Sequence, residues 1–313
     1  MSLPLPTTLS PSKVSSFKDC ALAFRFSTID RLPEPPSAPA AKGTLVHKAL
    51  ELLFWDHPQG ARSLAAGLDC LARAWSLQTD DPDFAGLELN AEEEAQFRNE
   101  AEQLLRRYFQ LEDPDRVNLL GTELMLQAGL GGMQLRGIID RLELDSEGRL
   151  VVTDYKTGRV PPESREQARL GGVHFYAYLC EKALGVRPAR VQLLYLAEPM
   201  SISATPSDQS IRGMAVRAQA IWSAVERACR DEDFRPHPSG LCDYCAYQSY
   251  CPVFGGDPAS APAVRTGPEA FGSSAAGAGP PLPIPGPPSD DDGGPDATER
   301  VRTALRAAGL VGV

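Results

Sequence analysis

Apolar side chains recur at helical spacing along much of this chain and give way to β-rich runs near its middle. Between Gly43 and Trp55, the residues Leu45, Val46, Ala49, Leu50, Leu53 and Phe54 fall three and four apart, which predicts an amphipathic helix. Before it, Pro11 to Phe26 predicts a short helix capped near Ser10 or Ser12, with Cys20 at its middle. Leu32 to Ala41 reads as a Pro- and Ala-rich linker. Residues 60 to 112, rich in Ala, Leu and Glu, predict two or more helices. Three strands are then expected, at about 119 to 128, 133 to 145 and 149 to 155. A helix over Glu166 to Leu184, a strand over Arg190 to Ala197 and a helix over Ile211 to Arg230 complete the pattern.

From Gly255 the pattern ends. Residues 256 to 288 are dense in Pro, Gly, Ala and Ser, too poor in apolar surface to order themselves. Asp296 to Leu310 predicts a short amphipathic helix, with Asp296 as cap and Glu299 three residues on. No internal repeat is visible.

Composition adds limits. With 42% hydrophobic and 23% charged residues, the chain has the balance of a soluble globular protein. No run of about 18 apolar residues exists to span a membrane, and no secretory signal opens the chain, so a cytoplasmic location is expected. There the seven cysteines are expected as ligands or core residues rather than disulfides. The net charge of −10 lacks the basic footprint usual for nucleic-acid binders, although part of it is local, in Glu92 to Glu94, Glu100, Glu102 and Asp290 to Asp292. Gly-Lys never occurs as a dipeptide, so the chain has no G-x-x-x-x-G-K phosphate loop and is not itself an ATP-driven helicase.

The chemistry concentrates between Gly137 and Gly158, in Gly137-Ile138-Ile139-Asp140-Arg141 and Asp154-Tyr155-Lys156-Thr157-Gly158. Ser146-Glu147-Gly148 between them reads as a hairpin turn, which sets Asp145 against Arg149, Asp140 against Asp154 and Ile138 against Lys156. Asp154 and Lys156, two apart, leave the strand on one face. Like charges directly opposite in a sheet are destabilising, so two facing carboxylates ask for a cation. Magnesium takes one or two carboxylates and keeps several waters, and a nitrogen from His47 would widen tolerance to manganese. The ion would polarise a phosphoryl oxygen, and Lys156 would orient water or offset transition-state charge. Lysine is scarce, 6 residues against 25 Arg, so Lys156 suggests a need for an ammonium. The same residues also fit an exposed hairpin with surface charges, and His47 also fits a surface pair with Glu51 one turn later.

Cys242-x2-Cys245-x5-Cys251 has the short spacing of metal ligands, and a four-thiolate site needs one more. Cys70 and Cys180 lie in apolar helical stretches and read as core, leaving Cys20 and Cys229. Spacing does not choose between those two, and by itself it favours structural zinc over iron–sulfur.

Together these pieces resemble the RecB-type nucleases of the PD-(D/E)XK superfamily, especially stand-alone and CRISPR-associated members with an iron–sulfur cluster. The resemblance runs from about Leu9 to Phe254. It rests on Ser10 to Cys20, Gly43 to Leu50, the Gly137–Arg141 and Asp154–Gly158 motifs, Tyr176-Ala177 and the three closing cysteines, in that order. It implies an α/β fold with a mixed central sheet flanked by helices, a helical insertion at about 56–118 and an iron–sulfur lobe. One nuclease domain would cover 1–255, with the tail over 256–313. It also implies that His47, Asp140, Asp154, Lys156 and Tyr176 form the active site, the first three of these binding Mg²⁺ or Mn²⁺, with Glu123 assisting. Cys20 would join Cys242, Cys245 and Cys251 around a [4Fe–4S] cluster. Many relatives carry a Gln four residues before the helix Tyr, where this chain has Gly172; Gln167 is nearby but out of register.

The expected activity is that of a metal-dependent DNA nuclease, an exonuclease on single-stranded or end-bearing DNA in repair, recombination or defence, with a helicase or recombination protein as partner and no membrane. Two alternatives stand beside it: a DNA-binding iron–sulfur subunit with weakened nuclease activity, and a hydrolase of small phosphodiesters.

Overall fold

The computed structural model describes residues 2–79, 81–160 and 166–262, together with Thr303, and of residues 166–171 the backbone only. Apart from Thr303, the chain from residue 263 on, including the helix expected over Asp296 to Leu310, lies outside the described residues, as does the side chain of Gln167. In chain order the elements are β1 (Thr8–Leu9), α1 (Pro11–Asp19), α2 (Ala21–Phe24), α3 (Ala38–Asp56), α4 (Leu64–Gln78), α5 (Pro82–Ala85) and α6 (Ala91–Leu111). Then come β2 (Asn118–Leu130), β3 (Met133–Leu144), β4 (Leu150–Lys156), α7 (Glu166–Ala183), β5 (Arg190–Tyr195), β6 (Met200–Ala204) and α8 (Asp208–Asp231). The architecture is mixed α/β: helices flank a six-stranded sheet of order β1-β3-β4-β5-β6, with β2 paired to β3. No helix among the described residues is long and apolar enough to cross a membrane.

The described residues fall into two compact units, one built from 36–127 and 137–211, the other from 2–35, 128–136 and 212–262. In the first, the six apolar positions that predicted α3 are all buried and pack with Cys70, Leu71, Ala74 and Trp75 of α4 and Phe97, Ala101, Leu104, Leu105 and Tyr108 of α6. The helix starts at Ala38 rather than Gly43 because Pro39 is tolerated in a first turn, so the expected linker is shorter. The acidic run on α6 serves its N-terminus: Asn90 and Glu93 form a capping box, and Glu92, Glu93 and Glu94 face the positive end of the helix dipole.

The central hairpin follows the expected register. β3 and β4 pair antiparallel from Arg141–Thr153 to Leu144–Leu150, and the Asp145 N–H donates to the Arg149 carbonyl at 2.9 Å. Gly148, at φ 73°, closes the turn, and the Asp145 carboxylate accepts from the N–H groups of Glu147 and Arg149. Beyond Arg141 this pairing gives way. The pairs expected of Asp140 with Asp154 and of Ile138 with Lys156 are not in the ladder, while on its other edge β4 runs parallel to β5 with Lys156 opposite Tyr195. β6 was not expected: its alternation rests on Ile202 alone, since Ser201 and Ser203 face out from a sheet edge.

Beneath the hairpin lies Arg141, fully buried at 0% exposure. It forks onto Glu112, meets Glu143 at 2.5 Å, donates to Tyr155 Oη at 3.0 Å and covers the Phe54 ring at 4.9 Å. Removing one partner from such a buried pair typically costs about 3–5 kcal/mol, because a charge is left uncompensated.

In the second unit, Leu22, Phe24, Phe26 and Ile29 pack with Val225 and Cys229 of α8 and with Phe234 and Tyr247. β1 pairs parallel with the start of β3, Thr8 to Gln134 and Leu9 to Leu135. Ser10 is the N-cap of α1, accepting from the Lys13 N–H at 3.2 Å. The single helix expected over Pro11 to Phe26 is broken at Cys20, whose extended backbone (φ −160°, ψ 112°) ends α1 and caps α2.

Candidate active site

Three elements bring the ligand atoms together. α3 supplies His47, whose neighbours Leu45, Val46, Ala49 and Leu50 are buried, so that the ring leaves the helix at the edge of the core. β3 supplies Asp140 and β2 supplies Glu123. One ligand atom from each of His47, Glu123 and Asp140 lies within 4.8 Å of the others, and no other such group of three occurs among the described residues. His47 Nδ1 is 3.6 Å from Asp140 Oδ2, while Glu51 is taken by Lys48 at 2.7 Å. The surface pair of His47 with Glu51 is therefore not formed.

Glu123 reaches this group through an unusual backbone. Its φ of 50° lies in the left-handed region within an extended strand, a conformation that costs a non-glycine residue about 1–3 kcal/mol and is held only where surroundings enforce it. No feature of the sequence marks that kink.

Asp154 stands outside the 4.8 Å group. It is 4% exposed; its Oδ2 is 2.5 Å from Lys156 Nζ, and it hydrogen-bonds Tyr176 from α7. Gly137 lets that tyrosine approach, since a Cβ there would lie 3.1 Å from Tyr176 Cε1 and 2.8 Å from Leu179 Cδ1. At Gly172 a Cβ would meet nothing within 4 Å, so the position of the missing Gln is open space.

The crowding of acids has electrostatic consequences. Burial, with Asp140 and Glu51 adding to it, pushes the Glu123 carboxyl up to about 8. Burial also pushes Asp140 up to about 6, with Asp154 raising it further and His47 opposing. Burial drives the Tyr176 phenol well above its ordinary value, reinforced by Asp154 and Asp140. Burial disfavours the Lys156 ammonium, but Asp154 and Asp140 outweigh it and hold its pKa above the usual range. Two carboxylates crowded together beside an imidazole nitrogen form a donor set suited to a divalent cation.

The cysteines gather in the other unit. Cys242, Cys245 and Cys251 sit on successive tight turns, and the Cys245 thiol is pushed up by burial with Cys20, Cys251 and Cys242 as its charged neighbours. Among the described residues no three of these sulfurs lie within 4.8 Å of one another. Cys229 instead packs in the core and donates to the Pro4 carbonyl at 3.7 Å, and Cys70 and Cys180 are buried. A Cβ on Gly256 would fall 2.3 Å from the Ser249 carbonyl oxygen, so the loop closing behind Cys251 requires glycine there.

Residues 8–252 match the PD-(D/E)XK nuclease superfamily. Two solved structures are similar in outline. One is described as SSO0001, at 12% identity and TM-score 0.39, covering 80% of this chain and 88% of that one. The other, from Eubacterium rectale, is described as a "putative exonuclease", at 13% identity and TM-score 0.48, covering 76% of this chain and 87% of that one. No curated protein matches the chain. With the match spanning most of its length, the chain belongs to the PD-(D/E)XK nuclease superfamily, whose members are nucleases that use divalent metals.

Proposed function

We propose that this chain is a RecB-type, metal-dependent deoxyribonuclease that acts as an exonuclease on single-stranded or end-bearing DNA. The observation that carries this reading is the convergence of His47, Glu123 and Asp140 within 4.8 Å, with the Asp154–Lys156 pair beside them. His47, Asp140 and Asp154 hold Mg²⁺ or Mn²⁺, with Glu123 adjoining. A divalent ion there supplies Lewis acidity toward a phosphoryl oxygen and lowers the pKa of a water. Lys156 orients the attacking water or offsets charge on the phosphoryl oxygens. In the hydrolysis, a water oxygen bonds to phosphorus as one P–O bond breaks, and the leaving oxygen takes up a proton. Tyr176 steadies Asp154 through its hydroxyl.

The nuclease domain in this reading spans 1–255 with the tail outside it, and the protein is cytoplasmic. Without a phosphate loop, any unwinding falls to a helicase or recombination partner. Cys20, Cys242, Cys245 and Cys251 carry a [4Fe–4S] cluster. What supports a shared site is that Cys20, Cys251 and Cys242 all act on the Cys245 thiol.

Purified protein with Mg²⁺ or Mn²⁺ should degrade linear DNA, and Asp154→Ala should not. Equal degradation by both would sink the assignment. DNA retention in a gel with no degradation by either would point to a binding subunit. Cleavage of small phosphodiesters alone would point to the small-substrate hydrolase.

A further inference from the structure

The proposed metal site has a support that neither its ligands nor the Asp154–Lys156 motif includes. Tyr155, between Asp154 and Lys156, touches two members of the group, His47 and Asp140. Its backbone N–H donates to Asp140 Oδ2 at 2.6 Å, and its ring meets the His47 ring edge-on, with centroids 5.7 Å apart and planes at 81°. On its other side the ring packs edge-on against Tyr108 at 5.7 Å. Its hydroxyl accepts a hydrogen bond from Arg141 Nη1 at 3.0 Å.

Arg141 is fully buried and both terminal nitrogens of its fork are engaged, on Glu112, on Tyr108 Oη at 3.2 Å and on Thr153 Oγ1 at 3.2 Å, while its Nε stands in an ion pair 2.5 Å from Glu143. A planar guanidinium held this way fixes the phenol oxygen and, through the rigid ring, the wall against which His47 rests. Residues behind a metal's ligands set ligand orientation, and their loss typically costs about 10–100-fold in metal affinity.

We propose that Tyr155, anchored by Arg141, is a positioning residue that holds the His47 ring and the Asp140 carboxylate in the geometry that binds the divalent ion. The inference rests on the metal site proposed above, and it concerns affinity for the ion before any DNA is present. Tyr155 touches no reacting atom.

Mn²⁺ binding to the full chain, followed by electron paramagnetic resonance or calorimetry without DNA, tests it. Tyr155→Phe keeps the ring and the backbone N–H and removes only the anchor, and it should weaken Mn²⁺ about fivefold. Tyr155→Leu also removes the ring and should weaken it toward the 10–100-fold range. Leu105→Ala, in the same core but away from the site, supplies the control: it should lower thermal stability and leave Mn²⁺ affinity unchanged. A Tyr155→Phe protein that binds Mn²⁺ as wild type does would overturn the inference, leaving the tyrosine a core residue only. So would a Leu105→Ala protein that weakens Mn²⁺ as much as Tyr155→Phe. If wild type binds no Mn²⁺, the metal site itself fails, an outcome distinct from both.

Discussion

His47 Nδ1 lies 3.6 Å from Asp140 Oδ2, a separation at which a nitrogen and a carboxylate oxygen flank a shared space more than they bond each other. One comes from the face of a helix and the other from a strand whose pairing has just ended. The contact arises because α3 packs its apolar stripe into the core and leaves His47 at the stripe's edge, on the side where β3 delivers Asp140.

This geometry separates His47 from its neighbour one turn on. His47→Ala should reduce Mn²⁺ affinity and nuclease activity by at least about tenfold, the scale of losing one ligand or its support. Glu51→Gln should cost much less, because Glu51 is paired with Lys48 and acts on the site only through the charge it presents to Glu123. Parallel binding isotherms check this. A His47→Ala protein that binds Mn²⁺ and cuts DNA as wild type does would return His47 to the role of a surface residue.

The raised carboxyls make metal-free stability depend on pH. A carboxyl whose folded pKa is lifted above its unfolded value binds an extra proton in the folded state, so its contribution is complete below the unfolded pKa and is lost as pH rises through the folded one. For Glu123 that window runs from an ordinary 4.5 to about 8, and for Asp140 from 3.8 to about 6. The melting temperature of metal-free protein should therefore fall between about pH 4.5 and 8, and fall less in Glu123→Gln. Mg²⁺ or Mn²⁺ should recover more stability at the alkaline end, releasing protons on binding, and calorimetry in buffers of different ionisation enthalpy would count them.

The hairpin was legible in the sequence because its turn is short and its flanks β-rich. Ser146-Glu147-Gly148 set the register, and Asp145 meets Arg149 as that register requires. Glu123 was harder. Its approach to His47 and Asp140 depends on a positive φ that no neighbouring residue announces, whereas Asp154, which the spacing singled out, lies beside Lys156 and Tyr176. The helix break at Cys20 hid for a similar reason. The break it makes in the first helix is a backbone conformation, and Pro11 to Phe26 contains no internal Gly or Pro to signal one. β6 is short, polar and at an edge, where the strand signal is weakest.

The thiol set predicts a coloured protein. Anaerobically purified wild type should be brown with an absorbance band near about 400 nm and about four irons per chain, as iron–thiolate coordination requires. Cys20→Ser should lose most of that iron, whereas Cys229→Ser should keep it, since Cys229 packs in the core against the Pro4 carbonyl. A colourless protein with one zinc per chain would replace the cluster with a structural zinc.

Gly172 offers a gain-of-function test. It lies within α7, four residues before Tyr176, and a side chain placed there would meet nothing within 4 Å. Glycine inside a helix is about 0.5–1 kcal/mol less favourable than an ordinary helix former, so Gly172→Gln should not destabilise the protein and should raise its melting temperature slightly. The new amide would leave the helix on the face that carries Tyr176, because residues four apart share a face. If the absent Gln limits activity, Gly172→Gln should raise the rate of DNA degradation severalfold at saturating Mn²⁺ while Mn²⁺ affinity stays constant. An unchanged rate in a folded, metal-binding variant would mean that the site works at full strength without it.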